Sequence, residues 1–363
     1  MQTLSLAVYV LSAVAITSAG PVQQVVSKPK PFDVQGHRGT RGQAVESTLP
    51  AFAWALIDGV TTLELDNGIT KDGAVLVWHD EEITADKCKD TAPVVKDDPD
   101  FPYVGKRVAN LTLAQIKTLD CGSARLLGFP LQLSYPGTKL STLDELFEFA
   151  TCVDTKRELQ WNIESKINPI SRTSTRGVDD FVTLQHQAFV KSTYKLSQIT
   201  YQSFDWRTLI KMKALEPRIP TAALVSEETL IIGFTAGLNV FAFEGATLGE
   251  KIANAAYSIK ASILSPSATS GLSLAPDPAQ PGYIPFTTKA MIDQAHKNGM
   301  LVKPWTVNRV SIAEQLFNWG VDGIITDYPT QIRRFIQQRG QPVASPFSEA
   351  TVMRCLKKHL QTV

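Results

Sequence analysis

Residues 60–80 read VTTLELDNGITKDGAVLVWHD. Val60 to Leu63 leads a strand-forming run in which Glu64 and Asp66, two apart, point to the same face. The pair Asp72-Gly73 is a turn signal, and the apolar run from Ala74 to Trp78 behind it ends at His79, so the whole segment reads as a hairpin. With Asp72-Gly73 as a two-residue turn, the register pairs Asp66 with His79 and sets an imidazole beside the two acids.

Outward from this hairpin, strand-like and helix-like segments alternate. The strand-like ones are residues 33–37, 61–66, 159–165, 199–203, 221–225, 262–265, 301–306 and 323–326, and the helix-like ones include 48–57 and 142–153. Leaving out the hairpin arm 75–79, these are the eight strands that a parallel (β/α)8, or TIM, barrel needs, and residues 239–243 are one further strand-like run. In such a barrel the active site lies at the strand carboxyl ends. The polar residues fall there: His37 after the first strand, Glu64 and Asp66 at the second, Glu164 and Lys166 at the third, Ser203 at the fourth and Trp305 near the seventh. Residues 81–140 lapse into Pro, Asp, Gly and Thr, and a stretch that long in a compact domain is a functional loop or an inserted subdomain. Residues 266–285 read as a long surface loop.

The front of the chain is dense in reactive side chains. His37-Arg38-Gly39, Glu46, Glu64-Leu65-Asp66 and His79-Asp80 hold what metal-assisted phosphodiester cleavage needs: two proton carriers, a cation for phosphate and hard oxygen ligands. Glu64, Asp66 and Glu164 offer only oxygen, which suits one Ca2+ or Mg2+ ion rather than a soft metal. His37 and His79 are expected as general acid and general base, in an order the sequence leaves open. Arg38 and Lys166 are expected to hold phosphate oxygens. Glu46 either orients Arg38, reaches the metal through water or complements a helix N-terminus. Each residue also has a plainer reading: a solvated strand edge for Glu64 and Asp66, an ion pair with Lys166 for Glu164, an ion pair with Glu46 for Arg38, and core packing for Trp305. His186, His296 and His359 read as structural, and Asp327 as a cap of the turn that follows it.

These residues resemble the glycerophosphodiester phosphodiesterase family, and especially its secreted fungal members. The family's pattern opens with His-Arg-Gly, passes through Glu-Asn-Thr and Glu-x-Asp, and closes on a Lys-Asp-Gly hairpin and His-Asp. The likeness continues through Asn162-Ile163-Glu164-Ser165-Lys166, Gln202-Ser203-Phe204, Lys303-Pro304-Trp305-Thr306-Val307-Asn308 and Gly323-Ile324-Ile325-Thr326-Asp327-Tyr328-Pro329, covering roughly residues 33–336. It implies that Glu64, Asp66 and Glu164 are metal ligands, that Arg38, Lys166, Glu46, Ser203 and Trp305 bind substrate, and that residues 81–140 form a small cap over the active site. Two positions depart from the pattern: Ser47 stands where Asn is usual, and Asn67 where an apolar residue is commoner.

The chain has 363 residues, is 44% hydrophobic and 20% charged, and carries a formal net charge of +1, the balance of an ordinary enzyme. No long basic stripe offers the phosphate-neutralising contacts of a nucleic-acid binder. No obligate protein partner is evident. Residues 1–20 read as a signal peptide, with an apolar run from Leu4 to Ile16 and small residues Thr17-Ser18-Ala19-Gly20 suited to cleavage after Ala19 or Gly20. The run is short for a bilayer span and lacks a basic leading segment; the competing reading is an N-terminal anchor left in place. Residues 21–31 read as a leader, 32–340 as the barrel domain, and 341–363 as a segment whose last helix packs on the barrel. Cys88, Cys121, Cys152 and Cys355 form an even set in a chain read as exported, and suit two disulfides. The favoured pairing is Cys88 with Cys121, closing one insertion, and Cys152 with Cys355, tying down the last helix; the alternative is buried free thiols. Asn110-Leu111-Thr112 is a glycosylation sequon.

The expected protein is therefore a secreted, metal-dependent phosphodiesterase that splits a small glycerophosphodiester such as glycerophosphocholine into glycerol 3-phosphate and an alcohol. Attack comes from water or from the neighbouring glycerol hydroxyl. The rival readings are a lysophospholipase D or sphingomyelinase D type enzyme, and an inactive extracellular binding barrel.

Overall fold

The computed structural model describes residues 30–360. The signal segment 1–20, most of the leader 21–31 and the last three residues lie outside the described residues. Eight parallel strands, β1 (Asp33–Gly36), β2 (Thr62–Ile69), β4 (Gln160–Ser165), β5 (Ile199–Ser203), β6 (Thr221–Val225), β7 (Ile263–Pro266), β8 (Leu301–Val302) and β9 (Gly323–Thr326), follow one another in a ring. β3 (Val75–Val77) pairs antiparallel with β2 outside it. The ring closes through backbone bonds from Asp322 N–H to the Val302 carbonyl (2.9 Å) and from Ile325 N–H to the Pro304 carbonyl (3.0 Å). Eight strands with intervening helices make the TIM barrel.

The alternation that defines β2 explains how barrel and site are built from one strand. Leu63 and Leu65 turn outward into the core shared with the surrounding helices, where Phe52, Leu56, Phe149 and Trp161 are fully buried. Glu64 and Asp66, one residue out of phase with them, turn inward. The helix Leu49–Asp58 that leads into β2 is capped by the Thr48 hydroxyl, which accepts the Ala51 N–H at 3.4 Å, and stops at Gly59, whose φ of 80° suits a residue without a side chain.

Three features differ from the expectation. The hairpin is one residue out of the expected register: Asn67 pairs with Val77 and Ile69 with Val75, so Asp66 lies opposite Trp78 rather than His79. The cause is local. Thr70 carbonyl accepts the Gly73 N–H (3.1 Å), Thr70 N–H donates to the Ala74 carbonyl (3.0 Å), and Gly73 sits at φ 85°. The loop is therefore Lys71, Asp72 and Gly73, a three-residue turn closed by a left-handed glycine. Residues 301–306 do not form one strand, since β8 ends at Val302 and the chain then runs irregularly along β9. Residues 239–243 are not a strand; Val240–Ala242 is a single 3-10 turn.

Residues 81–140 form a small subdomain around a second apolar cluster, in which Ile83, Tyr103, Leu111, Ile116 and Leu119 are buried with Trp78 of the hairpin around the Cys88–Cys121 disulfide. Its far end docks on the loop after β1, with the Leu133 N–H bonded to the Gln43 carbonyl at 2.7 Å. The helix Glu349–Leu360 buries Val352 and Leu356 against the helices Leu49–Asp58 and Leu143–Val153, and Cys355 is bonded to Cys152. Among the described residues no helix is long and apolar enough to cross a membrane.

Candidate active site

At the carboxyl ends of the strands a cavity of about 200 Å³ opens, lined by His37, Arg38, Glu64, Asp66, His79, Glu164 and Lys166 on its polar side. Phe204, Leu224, Trp305 and Ile325 form its apolar side. It is smaller than a typical drug-sized pocket, a fit for a compact polar ligand.

The acids meet because β2 and β4 are neighbours in register. Asp66 lies directly across from Glu164, and Glu64 is one inward position earlier on β2. One oxygen from each of Glu64, Asp66 and Glu164 lies within 4.8 Å of the others, and all three residues are buried. Burial, and then the charge of Asp66, push the Glu64 carboxyl well above its ordinary range. Glu164 moves the same way: burial and Asp66 raise it, against the pull of Lys166. Asp66 goes down, because His79, Arg38, Lys166 and His37 outweigh the cost of burying it. Three buried carboxylates of which two are driven toward protonation by burial and by the charge of the third are a set that a hard divalent cation would hold fully ionised.

Glu64 is fixed from two sides. Its Oε2 accepts the Arg38 backbone N–H at 2.9 Å and its Oε1 accepts the Gln202 side-chain amide at 2.7 Å. Gln202 in turn accepts from Asn162 (3.0 Å), which also donates to Gln35 (2.8 Å), and Gln35 donates to Asp33 (2.7 Å), the partner of Lys303. The barrel interior below the cavity is thus a polar ladder rather than apolar layers.

Arg38 occupies the left-handed region at φ 51°. Its guanidinium pairs with Glu46 at 2.9 Å and with Asp66 at 3.1 Å. Glu46 does not cap the following helix, a role that falls to Thr48; it is the hub of three cations, with Arg41 at 2.5 Å and Lys87 at 2.9 Å besides Arg38. Burial raises the Glu46 carboxyl, but these three cations prevail and hold it at about 2. Lys166 pairs with Glu164 at 3.0 Å and lies 5.5 Å from the centre of the Phe204 ring. The plainer ion-pair readings of Arg38 and Glu164 are thus present in the structure, alongside their place in the cavity wall.

Each cavity histidine has Nδ1 tied to a carboxylate at 2.6 Å, His37 to Asp327 and His79 to Asp80. A carboxylate accepts, so Nδ1 carries the proton and Nε2 is left for the cavity. Although the hairpin register differs by one, His79 still reaches the cavity because β3 ends at Val77 and the chain turns inward beyond it. Burial and then Lys166 lower the His79 imidazole to about 4, so it is neutral at pH 7.

Ser203 is not brought into the cavity. It is fully buried on the outward side of β5, donating to the Ser165 carbonyl (3.2 Å) and accepting the Asp205 N–H (3.1 Å), while its neighbours Gln202 and Phe204 take the cavity positions. Trp305 does line the cavity, edge-on to Phe204 at 5.3 Å, with its indole N–H bonded to the Ser265 carbonyl. Asp327 is not a mere turn cap: one oxygen holds His37 and the other accepts from Asn308 at 2.6 Å. Lys87 was not among the residues expected here. Nothing in the irregular composition of residues 81–140 marks it, and only the position of Asp80 seven residues earlier hints at a partner. Of the two departures, Asn67 lies outside the cavity and is fully bonded, donating to the Asp66 and Leu76 carbonyls and accepting from Gln185 at 3.0 Å. Ser47 is buried at φ 58° and also stands away from the cavity lining.

Residues 37–331 match the model of the glycerophosphoryl diester phosphodiesterase family. The chain belongs to that family. A glycerophosphodiester phosphodiesterase of Bacillus subtilis is 27% identical over 297 residues, covering 81% of this chain and 82% of that one. The human protein named lysophospholipase D GDPD1 is 24% identical, covering 83% and 84%. Among solved structures, a protein of Silicibacter pomeroyi named a putative glycerophosphoryl diester phosphodiesterase superimposes with a TM-score of 0.68 at 25% identity, covering 87% of this chain and 97% of that one. The phosphodiesterase is thus an enzyme of the phosphoric diester hydrolase class, with the barrel of its relatives.

Proposed function

We propose that this phosphodiesterase hydrolyses small glycerophosphodiesters, glycerophosphocholine among them, to glycerol 3-phosphate and the free alcohol, with one Ca2+ or Mg2+ ion held by Glu64, Asp66 and Glu164. The observation that carries the reading is the meeting, in one small cavity, of three buried carboxylates, two cations and two histidines oriented by carboxylates. When bound, the cation supplies Lewis-acid polarisation of the phosphoryl group. Arg38 and Lys166 hold phosphate oxygens and balance the charge that grows on them. His79, neutral at pH 7, accepts the proton of the attacking oxygen through Nε2, and His37, with Asp327 on Nδ1, donates a second proton carried on Nε2 to the leaving alkoxide. Trp305 and Phe204 exclude water on the far side.

The test is choline release from glycerophosphocholine by purified protein with and without EDTA. Release is expected to fall below about 1% of its starting rate with chelator, the loss of a term worth several kcal/mol, and to return with Ca2+ or Mg2+. Turnover indifferent to chelator sinks the metal assignment, and absence of release from every glycerophosphodiester sinks the function. The apolar wall of Phe204, Leu224, Trp305 and Ile325 favours a second reading, a lysolipid headgroup with its glycerol against that wall, and lysophosphatidylcholine in the same assay separates the two. The reading as an inactive binding barrel loses its support, since Ser47 and Asn67 both stand outside the cavity.

We also propose export, as in the secreted fungal members. Residues 1–20 have the pattern of a signal peptide, both disulfides of the structure suit an oxidising compartment, and Asn110 is exposed for glycosylation. Protein recovered from culture medium is expected to begin just after Ala19 or Gly20 and to shift in mobility on deglycosylation, a shift that Asn110→Gln abolishes. Protein kept in cells with residues 1–20 attached counts against export.

A further inference from the structure

Lys87 belongs to the inserted subdomain, not to the barrel, and is buried at 8% exposure beside Cys88 of the Cys88–Cys121 disulfide. Its stem runs past the Trp78 ring, with Nζ 5.3 Å from the ring centre. That one ammonium makes two contacts that lead to two different residues of the cavity wall. At 2.5 Å it meets Asp80 Oδ2, and the other oxygen of Asp80 holds His79 Nδ1 at 2.6 Å. At 2.9 Å it meets Glu46 Oε1, the same oxygen that accepts from Arg38. An ammonium has three donors and a carboxylate can accept several, so Lys87 can bridge Asp80 and Glu46 while His79 and Arg38 keep their own bonds to them. The barrel supplies both carboxylates, and the insertion supplies the bridge.

We infer that Lys87 is a positioning residue of the active site: through Asp80 and Glu46 it fixes His79 and Arg38 in a single network, which makes the inserted subdomain part of the catalytic apparatus. The inference rests on His79 and Arg38 acting as proposed above. Without the ammonium, Asp80, a quarter exposed, is free to turn to solvent and release the imidazole, while Glu46 keeps Arg38 and Arg41. The damage therefore concentrates on His79. Outer-shell partners of this kind are typically worth 10–100-fold.

Lys87→Met keeps the stem against Trp78 and removes the charge; Lys87→Arg keeps the charge. With glycerophosphocholine and saturating Ca2+ or Mg2+, Lys87→Met is expected to lose about 10–100-fold in kcat with KM within a few-fold of wild type, and Lys87→Arg to recover part of it. In 15N-histidine spectra, the His79 Nδ1–H resonance is expected to exchange with water and vanish in Lys87→Met while that of His37 stays. Wild-type kcat in Lys87→Met, or an unchanged His79 resonance, overturns the inference. So does a loss that Lys87→Arg does not ease and a matching fall in melting temperature accompanies, which marks a packing role only. Should the wild-type protein turn over no substrate, it is the proposed function that fails, and the His79 resonance decides the role of Lys87 alone.

Discussion

His37→Ala is expected to lower kcat on glycerophosphocholine by roughly 10²–10⁴-fold, the usual worth of a positioned proton donor. Choline leaves as an alkoxide of high basicity, so a donor at the leaving oxygen is needed most for such a substrate. A p-nitrophenyl diester, whose leaving group needs no proton, separates the two histidines. His37→Ala is expected to recover most of its rate on that substrate, whereas His79→Ala, lacking the base, is expected to be impaired on both. Asp327→Asn, which keeps the size of the side chain but removes the charge facing His37 Nδ1, follows His37→Ala in direction with a smaller loss. Equal impairment of His37→Ala on both substrates would refute its role as the acid and reverse the assignment.

The double substitution Cys152→Ser/Cys355→Ser is expected to cost about 2–5 kcal/mol in stability, seen as a fall of roughly 5–10 °C in melting temperature under non-reducing handling of both proteins. The bond spans a separation of 203 residues, so in the chain-entropy picture its loss frees most of the domain in the unfolded state. It also joins the end of the helix Leu143–Val153 to the terminal helix, whose Val352 and Leu356 pack on the barrel. Cys152 precedes the amino end of β4, the side of the barrel away from the cavity, so kcat at 25 °C is expected to stay at the wild-type value. An unchanged melting temperature would show that the terminal helix is held by packing alone.

Two different kinds of information meet in this chain. Local order was legible wherever the pattern is local: β5, β6 and β9 fall on the expected residues, and the helices Leu49–Asp58 and Leu143–Val153 lie within one residue of the expected places. That Glu64 and Asp66 share one face follows from period two alone. The hairpin register was misread because Asp72-Gly73 fits both a two-residue and a three-residue turn, and the choice rests on where Gly73 sits in it. The face of Ser203 was not legible for a related reason. Its position at the end of a strand was clear, but its face depends on which of two alternating sets points into the barrel, and in β5 that set is Gln202 with its bond to Glu64.

The sequence by itself determined the alternation that makes a (β/α)8 barrel, the family, and the acids and histidines placed at strand ends, because each is written in spacing or in a short motif. Only the tertiary structure decided that Asp66 faces Glu164 across β2 and β4, that Asp327 holds His37 from 290 residues away, and that Lys87 bridges Asp80 and Glu46. The physical reason is that these contacts join residues distant along the chain, whose meeting is fixed by strand order, ring closure and the docking of the inserted subdomain rather than by any local propensity.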